Sequence, residues 1–141
     1  EATRQLARLG YDDVLGYLAG GMTAWEVSGR PYDRIRAVPV QTLARRGRPG
    51  DDYLLLDVRS DEEWESGHLP GATHAPLDAL TEHLRALPDD RPVTTFCGSG
   101  RRAIIAASVL KRAGFDEVED CLGSMAAVGA ADEDITGDLD I

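Results

Sequence analysis

Three apolar runs without polar alternation stand out along the chain. Tyr53-Leu54-Leu55-Leu56-Asp57-Val58 is apolar toward both faces, the mark of a central parallel strand covered on two sides. Val93-Thr94-Thr95-Phe96 reads as a second buried strand. Ala103, Ile104, Ile105, Ala106, Ala107, Val109 and Leu110 leave almost no polar side to the segment from Arg101 to Ala113, which predicts a helix buried against the sheet. Leu77, Leu80, Leu84 and Leu87 recur at helical spacing before Pro88 and predict an amphipathic helix over 77–87. Val38-Pro39-Val40 is a short edge strand, since Pro is tolerated only at an edge or a strand end. A brief helix follows from Thr42 to Arg46, closed by Gly47 and Pro49-Gly50. Asp61 or Ser60 caps a short acidic helix that Gly67 stops, Thr73-His74-Ala75 is a further short strand, and Glu117 to Cys121 is the last. Short strands alternating with helices predict an α/β fold with a mostly parallel sheet covered on both faces.

Between the second strand and the buried helix lies Phe96-Cys97-Gly98-Ser99-Gly100-Arg101-Arg102-Ala103. Two glycines within three residues let the loop curl so that its N–H groups point inward. Such a nest at a helix N-terminus favours an anion, and Cys97 at its lip would hold a thiolate stabilised by those donors, the helix dipole and the neighbouring arginines. The plainer alternative is a small buried cysteine beside a helix cap.

These residues resemble the active-site loop of the rhodanese family of sulfurtransferases, in which a strand ends at a Cys and a six-residue loop runs from Cys to Arg. Cys97 to Arg102 has that length. Phosphatases of the same fold carry one more residue, a position occupied here by Ala103. Asp57-Val58-Arg59, the acidic helix ending in Trp64, and Gly67-His68-Leu69-Pro70-Gly71-Ala72 resemble the family's other signature. The resemblance spans about Val38 to Val128 and implies a rhodanese-like α/β fold with a five-stranded sheet. It also implies transfer of sulfane sulfur from thiosulfate or a persulfide to a thiol or cyanide, through a persulfide on Cys97. Gly98, Ser99, Gly100, Arg101 and Arg102 would bind the donor and the persulfide, with Arg102 closing the loop. Asp57 and Arg59 would form an internal ion pair supporting the strand ends. No cofactor is implied, because the cysteine is itself the carrier. The second class of function is a sulfur carrier or interaction module serving a partner enzyme domain.

An internal repeat joins the two ends of the chain. Arg8-Leu9-Gly10-Tyr11-Asp12-Asp13-Val14 aligns with Arg112-Ala113-Gly114-Phe115-Asp116-Glu117-Val118 at a separation of 104 residues. With one residue of slippage, Gly20-Gly21-Met22-Thr23-Ala24-Trp25 aligns with Gly123-Ser124-Met125-Ala126-Ala127-Val128. One domain length separates the copies, which indicates domain duplication. The expected organisation is the closing part of an upstream rhodanese-like domain at 1–30, a linker at 31–37, an intact domain at 38–130 and an acidic tail at 131–141. Gly16-Tyr17-Leu18-Ala19-Gly20-Gly21 resembles tandem rhodanese-like domains fused behind metallo-β-lactamase-fold enzymes. Apolar residues of 1–30, spaced to fill a core, are expected to dock on the intact domain or in a homodimer.

Composition narrows the partners. The net charge of −10 argues against a nucleic-acid surface, and the excess is local: after Arg112 there are nine acidic residues and no basic one. No apolar run could span a bilayer, no leader pattern is seen, and two unrelated cysteines, Cys97 and Cys121, suit a reducing, cytoplasmic setting. Cys121 lacks glycine or basic neighbours and reads as packing. His68 before the Pro-Gly turn reads as a hydrogen-bonded hinge rather than a general base, and His74 and His83 have no metal-ligand spacing with either Cys.

Overall fold

Strand β2 (Leu54–Asp57) is buried at every position, as is β4 (Val93–Phe96) beside it. Both faces of these strands must therefore be covered, and helices cover both. A computed structural model of the chain describes residues 2–8, 10, 13–50 and 52–128. The acidic stretch 131–141, Leu9 and Tyr11 lie outside these. The sheet has five strands in the order β1-β5-β4-β2-β3, adding β1 (Arg36–Pro39), β3 (Thr73–His74) and β5 (Val118–Leu122). Every pairing is parallel, giving the five-stranded α/β sheet that the resemblance implies. All strands thus end on one edge of the sheet, where the loops after β2, β4 and β5 come together.

One face packs Leu54, Leu56 and Val93 against Ala103, Ala106, Ala107 and Leu110 of α6 (Arg101–Ala113). The other packs Leu55 and Phe96 against Val40 and Leu43 of α3 (Val40–Arg46) and Val128 of α7 (Ser124–Val128). Small residues on α6 let it lie close to the strands. Two expectations change here. Ile104 and Ile105 are 39% and 53% exposed, because helical periodicity turns them away from the alanine stripe. The segment 77–87 is α-helical only in α5 (Leu80–His83). Around it the backbone makes tighter bonds, Ala79 N to Pro76 O and Ala86 N to His83 O. Its four leucines still pack on the α6-side core, so their spacing records a buried face rather than a continuous helix.

The chain divides into two units, one ending at Arg34 and one beginning at Ile35. The first holds α1 (Ala2–Arg8) and α2 (Gly21–Val27). Glu26 pairs with Arg34 and accepts from Tyr32, and Trp25 Nε1 donates to Pro31 O. Residues 13–18 form no strand. The two repeat copies nevertheless share local geometry. Gly20 and Gly21 open α2 at φ 79° and 61°, and Gly123 and Ser124 open α7 at 72° and 47°. A Cβ at Gly20 would lie 2.8 Å from Ala24 Cβ, and one at Gly123 2.7 Å from Ala127 Cβ.

Candidate active site

Cys97 is the first residue beyond β4, and it is fully buried. Its sulfur therefore lies at the floor of the loop rather than at the lip. Sγ accepts hydrogen bonds from the backbone N–H of Gly100 at 3.1 Å and of Ala103 at 3.4 Å. The second donor sits in the first turn of α6, so the sulfur meets both the loop and the positive end of the helix. Gly100 makes this possible at φ 91°, a conformation that L side chains rarely adopt, and a Cβ there would press to 3.3 Å from Gly123 N. A Cβ at Gly98 would lie 3.1 Å from Arg102 Nη2, so a larger residue there would press on the guanidinium that pairs with Glu63.

The two arginines differ. Arg101 is exposed and forms no ion pair among the described residues, whereas Arg102 makes a two-pronged salt bridge to Glu63, at 2.6 and 2.7 Å. Glu63 belongs to α4 (Asp61–Glu65), where it completes a capping box with Ser60. A Ser-x-x-Glu pattern is legible in sequence as a cap; its bond to an arginine 39 residues away is not. Arg102, reinforced by the Ser60 hydrogen bonds, holds the Glu63 carboxyl at about 2, against an ordinary 4.5. Because the folded value is the lower one, the contribution is complete above pH 4.5 and is lost as pH falls toward 2. Both side chains are more than a third exposed, so solvent screens the pair and the effect on stability is modest. The stability gap between wild type and Glu63→Gln is expected to close as pH is lowered across that window, read by urea unfolding. A gap independent of pH would contradict it.

Below the loop, Asp57 and Arg59 are buried at the end of β2. Arg59 Nη2 and Nε lie 2.7 and 2.9 Å from Asp57 Oδ2, and Nη2 also donates to Gly67 O at 2.8 Å. His74 Nε2 lies 2.9 Å from Arg59 O, and Trp64 stacks with His68 at 3.6 Å and with His74 at 4.7 Å between ring centroids. His68 Nδ1 is 3.1 Å from Trp64 O, which ties this ring to the turn. Cys121 is also fully buried, and burial pushes its thiol up to about 12. Among the described residues no group of three or more His, Cys, Asp or Glu could hold a metal ion, and no helix is long and apolar enough to cross a membrane.

The sequence pattern of the rhodanese-like domain family matches residues 40–131. Among curated proteins, YrkF of Bacillus subtilis, named for sulfur carriage, is 37% identical over 100 residues, covering 71% of this chain and 54% of that protein. A sulfurtransferase of Allochromatium vinosum is 28% identical over 93 residues, covering 66% of this chain and 87% of that protein. The chain thus spans about half the length of YrkF. A rhodanese-like domain protein from Staphylococcus aureus superposes with a TM-score of 0.61 at 22% identity, over 66% of this chain and 90% of that one.

Proposed function

Because this chain belongs to the rhodanese-like domain family, we propose that it moves sulfane sulfur through a persulfide on Cys97. The observation that carries the reading is the pair of N–H donors converging on one cysteine sulfur. The Cys97 thiolate attacks the sulfane sulfur of thiosulfate or of a persulfide. A new S–S bond forms, the donor's S–S bond breaks, and sulfite or a thiolate leaves with the electron pair. A thiol or cyanide then attacks the outer sulfur and releases the Cys97 thiolate. Preorganised N–H groups favour the negative charge that sits on sulfur in both steps. Arg101, exposed beside the loop, is the group to draw in an anionic donor. Gly98 and Ser99 carry no side chain that would select one donor. No cofactor takes part in this scheme.

Steady-state assays with thiosulfate and cyanide test it, with an aryl phosphate as counter-substrate. Sulfur transfer without phosphate hydrolysis is expected from the six-residue loop. Hydrolysis lost in Cys97→Ser would overturn it. Arg102→Ala is expected to reduce transfer more than Arg101→Ala, because it frees Glu63 and unties the end of the loop. Equal losses would remove the assignment.

The second reading is a carrier that accepts one sulfur and delivers it to a partner enzyme. The likeness to YrkF favours it, as does the burial of Cys97. Stoichiometric loading without turnover would select it. We propose also that residues 1–30 close an upstream rhodanese-like domain, on the strength of the geometry shared by the two repeat copies. Leu15, Tyr17 and Val27 are 94%, 90% and 84% exposed, apolar side chains that another surface would cover, such as a second copy of this chain. Light scattering of the 141-residue chain is expected to give a dimer; a monomer whose first thirty residues are cleaved at once by protease would contradict the dimer. A working thiolate must stay reduced, and a cytoplasmic setting is the one that suits this reaction.

A further inference from the structure

Ser124 occupies a position built for glycine. Its φ is 47°, and among the described residues it is the one non-glycine with positive φ. The matching position of the first repeat copy holds Gly21 at φ 61°. In a left-handed conformation a Cβ is unfavourable, so a serine there needs a compensating role.

The side chain supplies one. It is completely buried, and its hydroxyl makes two hydrogen bonds. Oγ accepts from the backbone N–H of Cys97 at 3.0 Å and donates to Cys121 O at 2.9 Å. The next two residues continue the pattern: Met125 N donates to Cys97 O at 2.9 Å, and Ala126 N to Gly98 O at 2.8 Å. The N–H and C=O of Cys97 and the C=O of Gly98 are thereby all fixed by one turn of α7. With those carbonyls held at α7, the donors that reach Sγ are the N–H groups of Gly100 and Ala103.

We propose that Ser124 is a positioning residue for the nucleophile, its hydroxyl bolting the Cys97 backbone to the end of β5. The inference deepens the sulfur-transfer reading and rests on it for the reaction affected. The position is not merely a spacer, because glycine would satisfy the backbone with less strain.

Ser124→Gly separates the two roles. If only the backbone conformation mattered, glycine would serve at least as well as serine. If the hydroxyl positions Cys97, Ser124→Gly stays folded, because relief of the left-handed strain offsets part of the two lost hydrogen bonds, but loses about ten- to a hundredfold in kcat, with the KM for thiosulfate little changed. Ser124→Ala, which keeps the Cβ in the left-handed conformation, loses as much and is also less stable. Hydrogen exchange by NMR reads the bond itself: the Cys97 amide is expected to exchange at least about tenfold faster in Ser124→Gly, while those of Thr95 and Phe96 are unchanged. A Ser124→Gly protein with wild-type kcat and wild-type protection of the Cys97 amide would overturn the proposal. Should the wild type fail to turn over thiosulfate, the sulfur-transfer reading fails separately. The exchange rate, with the alkylation rate of Cys97 by iodoacetamide, would still decide the role of Ser124.

Discussion

Replacing Cys97 with Ser is expected to reduce sulfur transfer by a factor on the order of 10³ or more while leaving the fold intact. The oxygen is nearly isosteric with sulfur and can still accept from the Gly100 and Ala103 N–H groups, so the loop keeps its partners. A hydroxyl cannot carry a sulfane sulfur, and at neutral pH it offers almost no anion for attack. Cys121 cannot take over, because it is fully buried and its thiol is held up near 12. Turnover with thiosulfate and cyanide, beside thermal unfolding followed by circular dichroism, measures both halves. Loss of activity through loss of structure, or a variant that keeps a tenth of the rate, would contradict the assignment.

Asp57→Ala is expected to cost about 3–5 kcal/mol of stability, a large share of what holds a domain of this size folded. Asp57 is fully buried and the Arg59 side chain is 5% exposed, so little solvent screens the pair. Removing the carboxylate leaves a buried guanidinium with Gly67 O as its remaining described partner. The damage spreads beyond the pair. Arg59 O faces His74 Nε2, and the backbone of Asp57 and Val58 bonds to Ala75, Leu77 and Phe96. Urea unfolding of wild type and variant measures the difference. A loss below about 1 kcal/mol would mean that Arg59 escapes to water and that the pair is not a structural support.

Local, contiguous features were the legible ones. β2 and β4 could be read because burial on both faces removes the strict apolar–polar alternation of a half-exposed strand, leaving three leucines in a row in β2 and β-branched threonines between Val93 and Phe96 in β4. The loop could be read because its cysteine, glycines and arginines are neighbours in sequence. What escaped was whatever depends on two distant segments meeting. Glu63 lies 39 residues from Arg102, and Ser124 lies 27 residues from Cys97. In sequence Ser124 looks like erosion of a Gly-Gly pair; only the strand ends brought side by side reveal its hydroxyl on the Cys97 amide. Ala103, one residue past the six-residue loop, supplies a donor to sulfur for the same reason: the helix turns its N–H back over Sγ. The 77–87 segment and α6 mark a different limit. Apolar spacing reports which residues face a core, and turns meet that demand as well as a helix does. Composition cannot show which isoleucines of an apolar helix face water, as Ile104 and Ile105 do.

The central claim is that one cysteine carries sulfur and the other does not. Peptide mass spectrometry of the wild-type protein after incubation with thiosulfate, and separately with a small-molecule persulfide, tests it directly. One added sulfur atom on the peptide containing Cys97, removed by cyanide and absent from the peptide containing Cys121, is the expected result. Unmodified Cys97 with both donors, or equal sulfur on both cysteines, would contradict it.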